Sequence, residues 1–230
     1  MNDVQVQAAL ITRQIMQELV KKEAVAVNSC TQLSTKLAVP VGISNRHVHL
    51  SREDMDVLFG SGVELTRYKA VKQPGQYAAD QTVVLRGPKG EIQRVRILGP
   101  LRSATQIEIS IADSFTLGVK APLRMSGELD NSAGIEIVGP RGVVKKDHGA
   151  IVAWRHIHIS PQDAEHFQLS DGMQIDVQTQ GARGGILQHV VVRVSSDAVL
   201  EMHLDVEEAN ALGLKNGDLV YGLSKACSHG

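Results

Sequence analysis

Arg46-His47-Val48-His49-Leu50-Ser51 recurs 109 residues later as Arg155-His156-Ile157-His158-Ile159-Ser160. Both copies read Arg-His-aliphatic-His-aliphatic-Ser. In a strand, the period of two puts the imidazoles of each copy on one face, roughly 7 Å apart at Cα and close enough to share one metal ion. The aliphatic residues then point the other way, into a core. A single His-x-His also fits an ordinary polar strand face. Repetition of the whole hexapeptide argues for a built feature.

Working outward, Ser51-Arg-Glu-Asp54 and Ser160-Pro-Gln-Asp163 carry the signals of helix N-termini: Ser as N-cap, an acid three residues on and, in the second, Pro161 at the first helical position. Each histidine pair therefore ends a strand just before a helix begins. Glu108-Ile109-Ser110 and His203-Leu204-Asp205 repeat that layout, with a possible ligand two residues before a possible N-cap. Gly90 to Ser110 aligns without a gap on Gly185 to Asp205, setting Glu108 opposite His203. Each half thus offers three ligands: His47, His49 and Glu108 in the first, His156, His158 and His203 in the second.

The rest of the chain predicts a mainly β protein with short capping helices. Three hairpins turn around Gly87-Pro-Lys-Gly90, Gly139-Pro-Arg-Gly142 and Gly181 to Gly185, and short helices follow Ser51, Ser110, Ser160 and Asp205. The long alternating helices of a doubly wound sheet are missing. We expect two pseudo-repeated small β-barrel domains, over residues 40–150 and 151–230. Ahead of them, residues 3–23 place Val4, Ala8, Ile11, Ile15 and Leu19 at helical spacing, so 1–23 reads as an amphipathic helix and 24–39 as a linker. That helix either packs on its own domain or acts as a detachable docking segment.

Composition excludes several function classes. The 230 residues carry a net charge of −1, so they show no electrostatic footprint for nucleic acid or an acidic membrane, and the 3% aromatic content offers few bases a stacking partner. No apolar run approaches a membrane span, and the N-terminus lacks the basic and apolar regions of a secretory signal, so a cytoplasmic location is expected. Cys30 and Cys227 fit no metal or redox spacing.

Three protein donors per metal leave a coordination position open, the pattern of catalytic rather than structural zinc, although buried histidines satisfied by backbone carbonyls would read similarly. Near the ligands, Gly99-Pro-Leu-Arg102-Ser103 offers a guanidinium fork for phosphate. Pro122-Leu-Arg-Met-Ser126-Gly127 offers a hydroxyl in a loop. No nucleophile elbow, P-loop or dinucleotide fingerprint is present. Metal-assisted chemistry is what remains.

Ser44-Asn-Arg-His-Val-His-Leu50, Gln73-Pro-Gly-Gln-Tyr-Ala78, Gly99-Pro-Leu-Arg-Ser103, Ala121-Pro-Leu-Arg-Met-Ser-Gly127, Arg155-His-Ile-His158 and Glu201-Met-His203, in this order, resemble the PduL-type phosphotransacylases, or phosphate propanoyltransferases. The resemblance runs from about Pro40 to Leu223. It implies reversible conversion of a short-chain acyl-CoA and phosphate to acyl phosphate and CoA, and two zinc ions per chain on the six ligands above. It also implies phosphate on Arg102 and CoA on Ser44, Asn45, Arg46, Lys89, Arg96 and Asn210, with Lys69 as a further contact. Ser126 is expected at the reacting centre. Many members of that family work inside bacterial microcompartments, reached through an N-terminal amphipathic helix. Shell proteins are therefore expected partners, and a homo-oligomer is expected.

Three other readings compete. His47-x-His49-x₃-Glu53-x₆-Gly60 matches half of a cupin metal site, but Glu53 falls in the predicted helix cap and Gln162 replaces the acid in the second copy. A metallo-β-lactamase-type site would need Asp-His after the His-x-His, which neither copy has. The third reading is a shell scaffold protein stapled by metals.

Overall fold

The computed structural model describes residues 33–223. The expected helix over 1–23 and both cysteines lie outside the described residues. Among the described residues, fourteen strands and four short helices run in the order β1 (Leu33–Ser44), β2 (His47–His49), α1 (Arg52–Phe59), β3 (Arg67–Ala70), β4 (Tyr77–Arg86), β5 (Glu91–Gly99), β6 (Gln106–Glu108), α2 (Ile111–Leu117), β7 (Leu123–Arg124), β8 (Ala133–Val138), β9 (Val143–Ala153), β10 (His156–Ile159), α3 (Pro161–His166), β11 (Gln174–Gln178), β12 (Ile186–Val194), β13 (Glu201–Asp205), α4 (Val206–Leu212) and β14 (Leu219–Leu223).

Two closed six-stranded barrels result. The first runs β2-β6-β9-β8-β4-β5 and back to β2, with β3 added beside β4 and β7 beside β9. The second runs β10-β13-β1-β14-β11-β12 and back to β10. Each encloses its own core. Val48, Leu50, Val83, Leu85, Ile97, Ile107 and Ile137 fill the first. Val39, Val41, Ile157, Ile159, Val177, Val192 and Met202 fill the second.

The pseudo-repeat holds residue by residue. His47 pairs with Arg96 and Glu108, and His156 pairs with Val191 and His203, an offset of 95 residues on both sides. It extends to the backbone. Arg94 (φ 58°) and His189 (φ 57°), also 95 apart, are both left-handed non-glycine residues inside β5 and β12. Beside each, the ladder slips its register, between Val83 and Leu85 and between Ile175 and Val177. These are matched β-bulges, and they explain why Ile92 and Val95, or Leu187 and Val190, point inward three residues apart rather than two.

The expected boundaries differ at β1. It spans the end of the expected linker and the start of the expected first domain, yet it begins at Leu33 and pairs with β13 and β14 of the second barrel. There it fills the place that β9 takes in the first barrel, since Ile151 lies beside Glu108 as Gly42 lies beside His203. The chain therefore crosses between barrels twice, from β1 to β2 and from β9 to β10. Both crossings deliver a His-x-His strand to the junction.

All four predicted helix starts are capped by side chains. Ser51, Ser110 and Ser160 accept from the backbone N–H of Asp54, Asp113 and Asp163 at 3.1 Å, and Asp205 accepts from that of Glu208 at 2.7 Å. Two of the predicted turns serve helix ends. The Lys89 N–H donates to the Leu117 carbonyl, and the Arg141 N–H to the Leu58 carbonyl, closing the C-terminal turns of α2 and α1. Gly87 and Gly139 let those turns approach so closely, because a Cβ at either would strike the same carbonyls.

Candidate active site

Pairing fixes the first ligand set. Glu108 stands directly opposite His47 across β2 and β6, and its Oε2 lies 3.4 Å from His47 Nε2. In the second half His203 stands opposite His156, and His156 Nε2 lies 3.1 Å from His158 Nε2. Within each set, His47, His49 and Glu108 or His156, His158 and His203, the potential ligand atoms all lie within 4.8 Å of one another.

The backbone aims the rings. Nδ1 of His47 faces the Asn45 carbonyl at 2.8 Å, and Nδ1 of His156 faces the Trp154 carbonyl at 2.7 Å, two residues upstream in both copies. His49 Nδ1 likewise meets the Leu98 carbonyl at 3.2 Å. A carbonyl only accepts, so these Nδ1 atoms carry hydrogen and each Nε2 keeps a lone pair for a metal. Burial, then nearby His47 and Arg102, holds His49 down at about 3. Burial and neighbouring imidazoles hold His158 at about 3 and His156 at about 4. All three are neutral at physiological pH, as metal ligands must be. Burial opposes charge on Glu108 too, but the neighbouring imidazoles, His47 foremost, keep its carboxyl well below the usual range. Against its own burial, His47 is raised by Glu108.

Both sets line one cavity of about 600 Å³ at the junction of the barrels. Arg102 and Ser126 also line it, as do Ser44, Asn45, Arg46, Lys69 and Arg96. Arg102 Nη1 donates to Ser126 Oγ at 3.3 Å, and Gln106 Nε2 donates to the same oxygen at 2.8 Å. With both contacts accepted, the hydroxyl hydrogen of Ser126 is left to donate into the cavity.

Not every expected residue gathers here. Lys89 lies in the turn under α2, and Asn210 is exposed on α4; neither lines the cavity. Arg46 lines it, but its Nε donates to Asp113 Oδ2 at 2.8 Å. The matching Arg155 Nη1 meets Glu208 Oε1 at 2.5 Å, 95 residues after Asp113. The arginine of each hexapeptide thus clamps the helix that follows the third ligand. Glu53 is exposed on α1, away from both ligand sets, which removes the cupin reading.

Several residues at or behind the cavity have roles that the sequence motifs do not assign to them. Gln106 Nε2 reaches Glu108 Oε1 at 2.6 Å, tying that ligand to Ser126. At the equivalent position in the second half stands Glu201, whose Oε2 is 2.9 Å from His203 Nε2. Gln73 holds this acid from the first half: its Nε2 donates to Glu201 Oε2 and to the Val199 carbonyl, while its Oε1 accepts from the Val199 N–H. Gln73, Lys69 and Lys72 belong to the extra segment around β3. Its 14 residues account for the difference between the 109- and 95-residue offsets. Aligning the halves at both offsets would have found Gln106, Glu201 and that segment.

The phosphate propanoyltransferase family model matches residues 40–215. The chain belongs to the phosphate propanoyltransferase family. It is 57% identical over 212 residues to a phosphate propanoyltransferase of Rhodobacter capsulatus, covering 92% of this chain and 96% of that one. The Rhodopseudomonas palustris phosphate propanoyltransferase is 58% identical over 182 residues (79% of this chain, 80% of that one), and the Thermotoga maritima phosphate propanoyltransferase 53% (79% and 87%). As a phosphate propanoyltransferase family member the chain is an acyltransferase. Among the described residues no helix is long and apolar enough to cross a membrane.

Proposed function

We propose that this chain reversibly converts a short-chain acyl-CoA, propanoyl-CoA or acetyl-CoA, and phosphate to acyl phosphate and CoA. The observation that carries the reading is the meeting of two three-ligand sets and Arg102 in one cavity. Six cationic side chains line that cavity against three acidic ones, a balance suited to a phosphate and to the phosphates of CoA.

The donor sets fit two metal ions, and imidazole with carboxylate suits zinc. His47, His49 and Glu108 would hold one ion and His156, His158 and His203 the other, supplying Lewis-acid stabilisation of developing oxyanion charge. Arg102 forks onto phosphate, and Ser126 gives it a hydrogen bond, so the nucleophile waits beside the thioester and a bimolecular attack becomes an oriented one. A phosphate oxygen forms the new bond to the acyl carbon, the carbon–sulfur bond breaks, and CoA leaves as thiolate. No acyl-enzyme is required. Ser44, Asn45, Lys69 and Arg96 support CoA along the cavity wall. Propanoyl and acetyl differ by one methylene, worth about 1–3 kcal/mol, so both are substrates.

The test is CoA release from propanoyl-CoA and acetyl-CoA with and without phosphate, on protein of measured metal content. Phosphate-dependent release that disappears on chelation is the expected result. Release without phosphate would identify a thioesterase instead, and no release from protein carrying two metals would leave the scaffold reading. Residues 1–27 are proposed to dock to a microcompartment shell: their deletion leaves catalysis intact and abolishes co-assembly with shell proteins. Retained co-assembly after the deletion would refute docking.

A further inference from the structure

In the proposed function Arg102 holds phosphate. From the second half, Arg193 enters the same cavity. Arg193 lies on β12, paired in register with His158 on β10, and it lines the cavity together with His156 and His158. Side chains paired across neighbouring strands stand on the same face with Cβ atoms about 5 Å apart. Arg193 therefore projects beside the second ligand set.

Three observations separate Arg193 from a structural arginine. First, it has no acidic partner among the described residues, whereas Arg46, Arg52, Arg86 and Arg155 all do. Second, it breaks the repeat. The clamp arginines Arg46 and Arg155 occupy matched positions with matched acids, but Arg193 falls where the first half has Leu98, and Arg102 falls where the second half has Asp197. Arg193 is thus the guanidinium that the second half contributes to the cavity, from a position the barrel does not require to be basic. Third, burial lowers Arg102 against the opposing pull of Glu108, and the charge of Arg193 lowers it further, so the two guanidinium groups lie within Coulombic reach of each other. The two guanidinium groups, neither with a salt-bridge partner among the described residues, repel one another, and a shared anion relieves that repulsion.

We propose that Arg193 is a second phosphate-binding residue: with Arg102 it grips inorganic phosphate, or the phosphoryl group of acyl phosphate, from opposite halves of the chain. The anion is small, because it must lie between the two ligand sets rather than along the CoA wall. A guanidinium fork suits two phosphate oxygens better than an ammonium does. The inference rests on the proposed function, and its experiment keeps the two apart.

Arg193→Gln and Arg193→Lys are made, and metal content and thermal unfolding are measured beside the unaltered protein. Binding of inorganic phosphate to the zinc-loaded proteins is then followed by calorimetry, and steady-state rates are measured with phosphate and propanoyl-CoA varied in turn. Arg193→Gln should weaken phosphate binding and raise the phosphate KM by about 10- to 100-fold, the loss expected for a charge-assisted contact, with the propanoyl-CoA KM within about threefold. Arg193→Lys should recover part of the loss. Unchanged phosphate affinity in both variants would overturn the proposal. So would a rise confined to the propanoyl-CoA KM, which would move Arg193 to the CoA phosphates. The unaltered protein's own phosphate dependence tests the function, while calorimetry tests Arg193 whether or not turnover is seen.

Discussion

Glu108 and His47 face each other across the β2–β6 pairing, with Oε2 3.4 Å from Nε2, and that one register decides where a metal can sit. His156 and His203 repeat it at the second site. Because each site draws on its own barrel's strands, the two should load separately. Glu108→Ala should remove about one of two bound metals, and His203→Ala the other. Activity should fall by more than the ~10–100-fold that follows loss of a supporting partner alone. Elemental analysis of the purified variants checks this. Two metals retained in either variant would show that the ligand set is wrong.

Gly42 lies beside His203 on β1, and its missing side chain makes room for Glu201: an added Cβ would stand 2.7 Å from the Glu201 Cδ. Glu201 cannot easily retreat, since Gln73 and Lys72 hold it from the first barrel. Gly42→Ala should therefore cost about 1–3 kcal/mol by overpacking, and less in a Glu201→Ala background. Denaturant unfolding of the four proteins in this cycle gives the coupling. Equal costs in both backgrounds would mean that the space serves something else.

The matched bulges make a backbone prediction. Arg94 and His189 hold φ near +57°, a region that β-branched side chains resist. Arg94→Val should destabilise by about 1–2 kcal/mol, while Arg94→Gly should cost less than Arg94→Val. Chemical denaturation ranks the two. Valine tolerated as well as glycine would argue that β5 can straighten without the bulge.

Much of this candidate site was legible because histidines and acids spaced to hold a metal are rare, and here that spacing occurs twice. The same is true of the N-caps, where a short polar side chain and an acid three residues on leave few alternatives. Barrel membership of β1 was less accessible. Leu37, Val39 and Val41 alternate as a strand should, but nothing in that alternation says which barrel buries them. The bulges were hidden for a related reason: Arg94 and His189 are not residues that advertise a left-handed backbone. Lys89 and Asn210 followed the family resemblance. In the fold, the Lys89 backbone closes a helix and Asn210 faces outward, away from the cavity that gathers the other expected contacts.

The ligand sets also set a pH dependence for the metal-free protein. In the folded chain burial, with help from neighbouring cations and imidazoles, holds His49 and His158 down at about 3 and His156 at about 4. In the unfolded chain each titrates near its ordinary 6.5. As pH falls through that value, the unfolded state takes up protons that the folded state refuses, so stability drops and continues to drop toward pH 4. Glu108, lowered when folded, adds its own loss at the acid end. His47 opposes them: it is raised by Glu108, so its contribution is full below 6.5 and lost above its folded value. Three lowered histidines outweigh one raised, and the net slope is destabilising on acidification. Bound metal should steepen the loss, because protons then compete with the ion for the same nitrogens. Denaturation midpoints of chelator-treated protein should fall from pH 7.5 to 6 and again to 5. A midpoint that holds or rises over that range would mean that these histidines are protonated in the folded, metal-free chain.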